Sequence, residues 1–234
     1  MALPDYDFLA YEQSPIGMIG LRRRTLESEP GAVVTEITLD HTLLMSSCNS
    51  ASERALVSHA LQLHPGQHLD VLVGGLGLGC TAHEALLSRR VARLEIVEFL
   101  PQVIDWFDRG LLPLAAELAA DARLTMRCGD VYGLLAAAPE RLHDLILIDV
   151  DHSPDEPLGA ASESFYAAAG LERAKGHLGP GGVFGVWSYT ESPRFEASLR
   201  QVFDQVRVEQ STFWNRITDE EETHWLLFAW DENA

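Results

Sequence analysis

The sequence predicts an α/β protein in which a mostly parallel sheet, covered by helices on both faces, follows a small antiparallel sheet. From about Ser50 onward, short apolar runs alternate with amphipathic segments of helix length. Before that point, apolar and polar side chains alternate around chain reversals, and a glycine-rich turn follows the first buried run. The chain has 234 residues, which suits one domain or a large domain with a small appendage.

Taken in order, Ile16 to Arg22 and Val33 to Ser46 read as strands, with Pro30-Gly31 as one turn and Asp40-His41 as a second. Residues 1–49 therefore form an expected N-terminal β-hairpin region, and 50–234 the main domain. Ser52 is placed to cap a helix whose apolar positions Leu56, Val57, Ala60 and Leu61 recur at helical spacing up to His64-Pro65-Gly66. The runs Leu69–Val73, Leu94–Val97, Leu124–Met126, Leu145–Ile148 and Val183–Trp187 are the expected parallel strands. Gly179 to Gly182 fits a helix stop and turn before the last of them. Val206–Phe213 and His224–Trp230 read as a closing hairpin, with Asp219 to Glu222 as a solvated acidic turn and not a ligand site.

Seventeen Lys plus Arg against thirty-five Asp plus Glu give a net charge of −18, which repels nucleic acid and anionic lipid and favours a cationic small molecule. No uncharged stretch approaches the roughly 20 apolar residues of a membrane span, and the acidic N-terminus is unlike a secretory signal. A cytoplasmic location is expected. Cys48, Cys80 and Cys128 are odd in number and widely spaced, which predicts buried, reduced thiols and no thiolate metal site. Arg22-Arg23-Arg24 is expected to pair with neighbouring acids or another subunit, and Trp106 and Phe107 to be core.

The run Val71-Leu-Val-Gly-Gly-Leu-Gly-Leu-Gly79 leaves a buried strand and enters a helix near Cys80, so its backbone can approach a nucleotide closely. Glu98, twenty-one residues after Gly77 and at the end of the next strand, is placed to accept both hydroxyl hydrogens of a ribose. Nucleoside binding follows from the pair better than from either half. Gly77-x-Gly79-x-x-Ala82 also satisfies a dinucleotide fingerprint, so an NAD-binding oxidoreductase and a non-catalytic nucleotide-binding protein remain alternatives. Asp130 closes the third strand, where it can meet an exocyclic amine or cap the helix starting at Val131.

The succession GGLGLG, IVEF, CGDV, LILIDVDHSPDE, ESFY and LGPGG resembles class I S-adenosylmethionine-dependent transferases, and within them the spermidine synthase-like proteins. Tyr11 to Gly17 and Leu39 to Met45 are similar to the β-hairpin region that precedes the nucleotide domain of polyamine aminopropyltransferases. The resemblance implies a Rossmann-like class I methyltransferase fold with seven strands and a C-terminal hairpin. It implies S-adenosylmethionine or its decarboxylated form as cofactor, with the Gly74–Gly79 turn (Gly74, Gly75, Gly77 and Gly79) along the methionine portion. Glu98 would hold the ribose and Phe99 lie near the adenine; Asp130 would meet its amino group, with Val131 beside it and Asp149 at the fourth strand end. True aminopropyltransferases carry an aspartate in the glycine turn and a tyrosine in the helix after the hairpin. Neither is present in Gly75–Gly79 or Ser52–Ser58. Methyl transfer to a small cationic acceptor is therefore the expected chemistry, with true aminopropyl transfer as the alternative.

Displacement at a sulfonium carbon needs a nucleophile held in line and an amine kept unprotonated. Asp149, Asp151 and His152 are the candidate bases, and Asp151, His152, Trp187 and Tyr189 the candidate acceptor contacts. Asp155 and Glu156 would add negative potential at the pocket mouth. One acid beside one histidine is too few hard ligands for a metal, so none is expected. The expected partner is a small-molecule amine, including polyamines. A homodimer is a further expectation, drawn from related enzymes and from an N-terminal sheet too small to bury itself.

Overall fold

The computed structural model describes residues 6–26, 28–29, 31–150, 152–155 and 160–232. It opens with four strands, β1 (Tyr6–Ser14), β2 (Gly17–Thr25), β3 (Val33–Leu39) and β4 (Thr42–Ser46), followed by α1 (Ala51–Leu63). Strand and helix then alternate through β5 (Leu69–Gly74), α2 (Cys80–Leu87), β6 (Val91–Glu98), α3 (Pro101–Asp108), α4 (Ala115–Ala119), β7 (Leu124–Cys128), α5 (Val131–Ala136) and β8 (His143–Ile148). The chain ends with α6 (Ala160–Phe165), α7 (Ala168–Lys175), β9 (Leu178–Ser188), α8 (Pro193–Val202), β10 (Gln205–Asn215) and β11 (Glu220–Trp230).

The first four strands form an antiparallel sheet in chain order, and the rest form a seven-stranded sheet ordered β10-β11-β9-β8-β5-β6-β7. Strands β5 to β9 are parallel, while β11 runs antiparallel to both β9 and β10. The expected α/β class, with its closing hairpin and preceding small sheet, is the observed one.

Alternation along β5 and β8 divides the core between the two faces of the large sheet. Val71, Val73, Leu145 and Leu147 pack with Leu56 and Val57 of α1 and the fully buried Trp106 of α3. Leu72, Ile146 and Ile148 pack with Leu135 of α5, Leu171 of α7 and Phe195 and Leu199 of α8. Ile19, Leu21 and Ile37 of the small sheet belong to the first of these cores, so that sheet is fixed against the same face as α1 to α4. Its charged anchor is Glu36, whose fully buried side chain lies 2.8 Å from Arg22 and 2.7 Å from Arg24. Arg22 and Arg24 thus pair with a neighbouring acid, while Arg23 donates to the Leu111 carbonyl at 3.3 Å. Asp40 and His41 have φ of 47° and 70°, the left-handed pair that suits a two-residue hairpin loop. Pro30 lies outside the described residues.

Four sequence expectations need correction. Ser52 does not cap α1: the capping position is Ser50, and the Ser52 hydroxyl bonds Glu53 and His224 instead. Gly179 to Gly182 is not a turn before the strand but a loop-out within β9, because Leu178 pairs with His143 and Val183 with Leu145. The three cysteines are free, but only Cys48 is buried; Cys128 is exposed and Cys80 half-buried. Glu220 to Glu222 belong to β11 and not to a turn. Among the described residues, no helix is long and apolar enough to cross a membrane.

Candidate active site

The glycine turn packs against three other elements, and this sets its composition. Gly75 has φ of +91°, and a Cβ there would lie 2.5 Å from the carbonyl oxygen of Asp149. Gly77 has φ of +52°, and its Cβ would come within 2.8 Å of the Met45 sulfur. Only glycine meets both demands, of left-handed backbone and of close approach. Glu98, at the end of β6 and 6% exposed, braces the turn. Its Oε2 accepts the Leu76 N–H at 2.8 Å, and its Oε1 accepts the Leu100 N–H at 2.7 Å. Burial raises its pKa, and these amides act against the rise.

A cavity of about 220 Å³ opens over this acid, lined by Gly75, Gly77, Glu98, Phe99, Asp130, Val131 and Asp149, and closed by apolar residues of the small sheet. Phe99 is 43% exposed at its edge. Asp130 caps α5, its Oδ1 accepting the Tyr132 N–H at 2.9 Å, and it also lines the cavity. Gly74 and Gly79 lie outside the lining. A Cβ at Gly74 would meet Ile148 and Val131, and one at Gly79 would lie 2.7 Å from Leu118 of α4.

A second cavity of about 630 Å³ meets the first at Leu44, Met45, Gly77, Asp149 and Val150. Five carboxylates line it: Glu53 from α1, Asp149 one residue beyond β8, and Glu220, Glu221 and Glu222 from β11. No lysine or arginine does so among the described lining residues. Glu220 to Glu222 are therefore part of a cavity wall, contrary to their reading as no ligand site, while Asp219 stays in the exposed turn. The hairpin extends further than its apolar pattern shows and carries the acids back over the strand ends.

Asp149 is fixed by the Thr81 hydroxyl, which donates to Oδ2 at 2.6 Å, and by its own N–H to the Gly74 carbonyl at 3.0 Å. Burial raises its pKa, with Thr81 opposing. Burial, and then the charge of Asp149, pushes Glu53 from the ordinary 4.5 to about 7. The same two acids, after burial itself, help push the Cys80 thiol up to about 12, so this cysteine stays protonated at neutral pH.

Trp187, Tyr189, Phe213 and His224 form the aromatic side of the large cavity. The Trp187 indole N–H is buried and has no hydrogen-bond partner among the described residues. His152 is an exposed rim residue whose carbonyl accepts the Tyr189 N–H at 2.7 Å. Asp151 and Glu156 lie outside the described residues, and Asp155 does not line either cavity. Glu53, Thr81, His224 and the β11 acids were not singled out as site residues in the sequence. Only the acidity of 219–222 was a visible signal.

Over 206 residues, 83% of this chain, the sequence is 31% identical to the polyamine aminopropyltransferase of Prochlorococcus marinus (strain MIT 9313), of which it covers 68%. The chain belongs to the polyamine aminopropyltransferase family. No protein-family model matches it. Putrescine N-methyltransferase 3 of Nicotiana tabacum is 31% identical over 139 residues, 57% of this chain and 35% of that protein. The crystal structure of a spermidine synthase in complex with the transition-state analogue AdoDATO superposes with a TM-score of 0.74 at 21% identity, covering 97% of this chain and 74% of that one. The family's fold, with its small sheet and seven-stranded sheet, thus extends over nearly the whole chain.

Proposed function

We propose that this member of the aminopropyltransferase family transfers an aminopropyl group from decarboxylated S-adenosylmethionine to an amine of the polyamine class. The observation that carries the proposal is the large cavity: five carboxylates, an aromatic wall and no lysine or arginine among its described lining residues, joined to a smaller cavity over Glu98. Such a wall attracts ammonium groups by charge and by aromatic faces. Absence of an acid from the glycine turn favours methyl transfer in the sequence. In space, Glu53 stands beside Asp149 and Cys80 and lines the same cavity as Leu76, Gly77 and Leu78 of the turn. A donor tail bearing an amine without a carboxylate suits that pair, whereas the carboxylate of S-adenosylmethionine would be repelled by it.

The residues present fit an adenosyl sulfonium. Gly75 and Gly77 line the small cavity without side chains, and the carboxylates Glu98 and Asp130 line it beside them. When bound, the sulfonium supplies an electrophilic carbon. The protein's part is to orient the amine toward that carbon, exclude water with Met45, Leu44 and Trp187, and take the amine's proton on the Glu53–Asp149 pair. His152 at the rim is a contact for the far end of the acceptor, as are Trp187 and Tyr189.

Methyl transfer is the second reading, supported by the leucines Leu76 and Leu78 in the turn and by the putrescine N-methyltransferase among the relatives. Coproduct analysis separates the two. Putrescine with decarboxylated S-adenosylmethionine is expected to yield methylthioadenosine and an aminopropylated amine. Formation of S-adenosylhomocysteine from S-adenosylmethionine, with no turnover of the decarboxylated donor, would reverse the order.

A further inference from the structure

A proton taken up inside the large cavity needs a route out, and the described side chains contain one. Ser52 is 1% exposed, and its hydroxyl donates to Glu53 Oε2 at 2.9 Å. Ser52 Oγ also lies 2.8 Å from His224 Nδ1. On the other side of the ring, His224 Nε2 lies 3.1 Å from Glu222 Oε1, at the cavity edge where that carboxylate is 19% exposed. These four residues come from α1 and β11, 172 positions apart in sequence at the Ser52–His224 contact.

We propose that Ser52 and His224 form a proton relay that connects Glu53 to solvent at Glu222. The relay rests on the amine-transfer reading for its substrate but not for its geometry. An ammonium entering the cavity gives one proton to Glu53. Protonated Glu53 now donates to Ser52 Oγ and the hydroxyl turns its hydrogen to His224 Nδ1; Glu53 passes its proton to Ser52 as Ser52 passes its own to Nδ1, so the carboxylate is restored and an imidazolium forms. The ring returns to neutral by releasing its Nε2 proton to Glu222 and the water beyond, and a flip of the ring that exchanges its two nitrogens restores the starting tautomer. One proton enters and one leaves. The freed amine nitrogen then forms its bond to carbon as the carbon–sulfur bond breaks, the electron pair remaining on sulfur.

The surroundings suit this transfer. Glu53 faces Asp149 beyond β8, Cys80 of α2 and Arg54 on its own helix. His224 is enclosed by Trp187, Tyr189 and Phe213, with ring centroids 4.9, 5.3 and 4.9 Å away, and by Ser52 and Glu222. Burial lowers its pKa, so the ring does not retain the proton, although Glu222 acts to hold it. Burial acts to raise the pKa of Glu222, but Asn215, His224 and the Tyr189 hydroxyl together outweigh it and lower it.

Two readouts test the relay. The first is the NMR titration of the His224 ring and the Glu53 carboxyl between pH 5 and 9. Wild type is expected to show two coupled steps, and Ser52→Ala to show the groups titrating independently. Uncoupled titration in wild type, or coupling unchanged in Ser52→Ala, would overturn the proposal. The second is the pH profile of transfer from decarboxylated S-adenosylmethionine to putrescine. Ser52→Ala and His224→Asn are each expected to lower kcat about tenfold near pH 7 with KM little changed, a loss that fades as pH approaches about 10, where amines arrive deprotonated. A loss independent of pH, or none, would overturn it. If wild type shows coupled titration but no transfer to any amine, the amine-transfer reading fails while the relay stands.

Discussion

Replacing Glu53 by glutamine isolates the energetic cost of placing two acids at the cavity junction. Its folded pKa of about 7 exceeds the ordinary 4.5, because of burial first and the charge of Asp149 second. An acid of this kind binds more protons folded than unfolded between the two values, so stability falls as pH rises from 4.5 towards 7 and then levels. A difference of about 2.5 pH units corresponds to roughly 3 kcal/mol. Glu53→Gln removes the ionisation and keeps an oxygen for the Ser52 hydroxyl. The variant should match wild type near pH 4.5 and exceed it by up to ~3 kcal/mol at pH 8. Urea denaturation across this range measures the difference. Saturating putrescine should narrow it by neutralising the pair in wild type alone. A variant less stable than wild type at pH 8, or a difference flat with pH, would refute the assignment of Glu53 to a desolvated acid pair.

Other perturbations act at separate links. Gly75→Ala forces a Cβ against the Asp149 carbonyl at a φ of +91°, and should cost at least ~2 kcal/mol and abolish donor binding, as thermal denaturation and calorimetry would read. Glu36→Ala leaves Arg22 and Arg24 without their buried partner and should cost about 3–5 kcal/mol, with β1 to β4 losing amide-exchange protection first. Asp149→Asn keeps an acceptor for Thr81 but removes a negative charge beside Glu53. Transfer should fall at least ~10-fold with the circular dichroism spectrum unchanged.

The strands of the large sheet are legible because burial on both faces writes them as continuous apolar runs such as Val71–Val73 and Leu145–Ile148. The glycine turn and Glu98 are legible because their chemistry lies on consecutive elements at a fixed spacing. Strand β1 carries no comparable signal: Phe8 and Tyr11 are 59% and 43% exposed, so no buried alternation marks it. Glu53 reads in sequence as an acid in the first turn of a helix, a position favoured by the helix dipole whatever the helix faces. Its proximity to Asp149, and the approach of His224 to Ser52, depend on how α1 packs against β9 and β11, which local pattern does not encode. Ser52 shows the same limit, since a serine near a helix start is a good cap by type and here serves a different partner.

Calorimetric titration with decarboxylated S-adenosylmethionine, in wild type and Glu98→Gln, tests the donor cleft most directly. Wild type should bind the decarboxylated sulfonium more tightly than S-adenosylmethionine, and Glu98→Gln should weaken it by about tenfold, the loss of one charge-assisted hydrogen bond. Tight binding of NAD with no heat from either sulfonium would contradict the assignment.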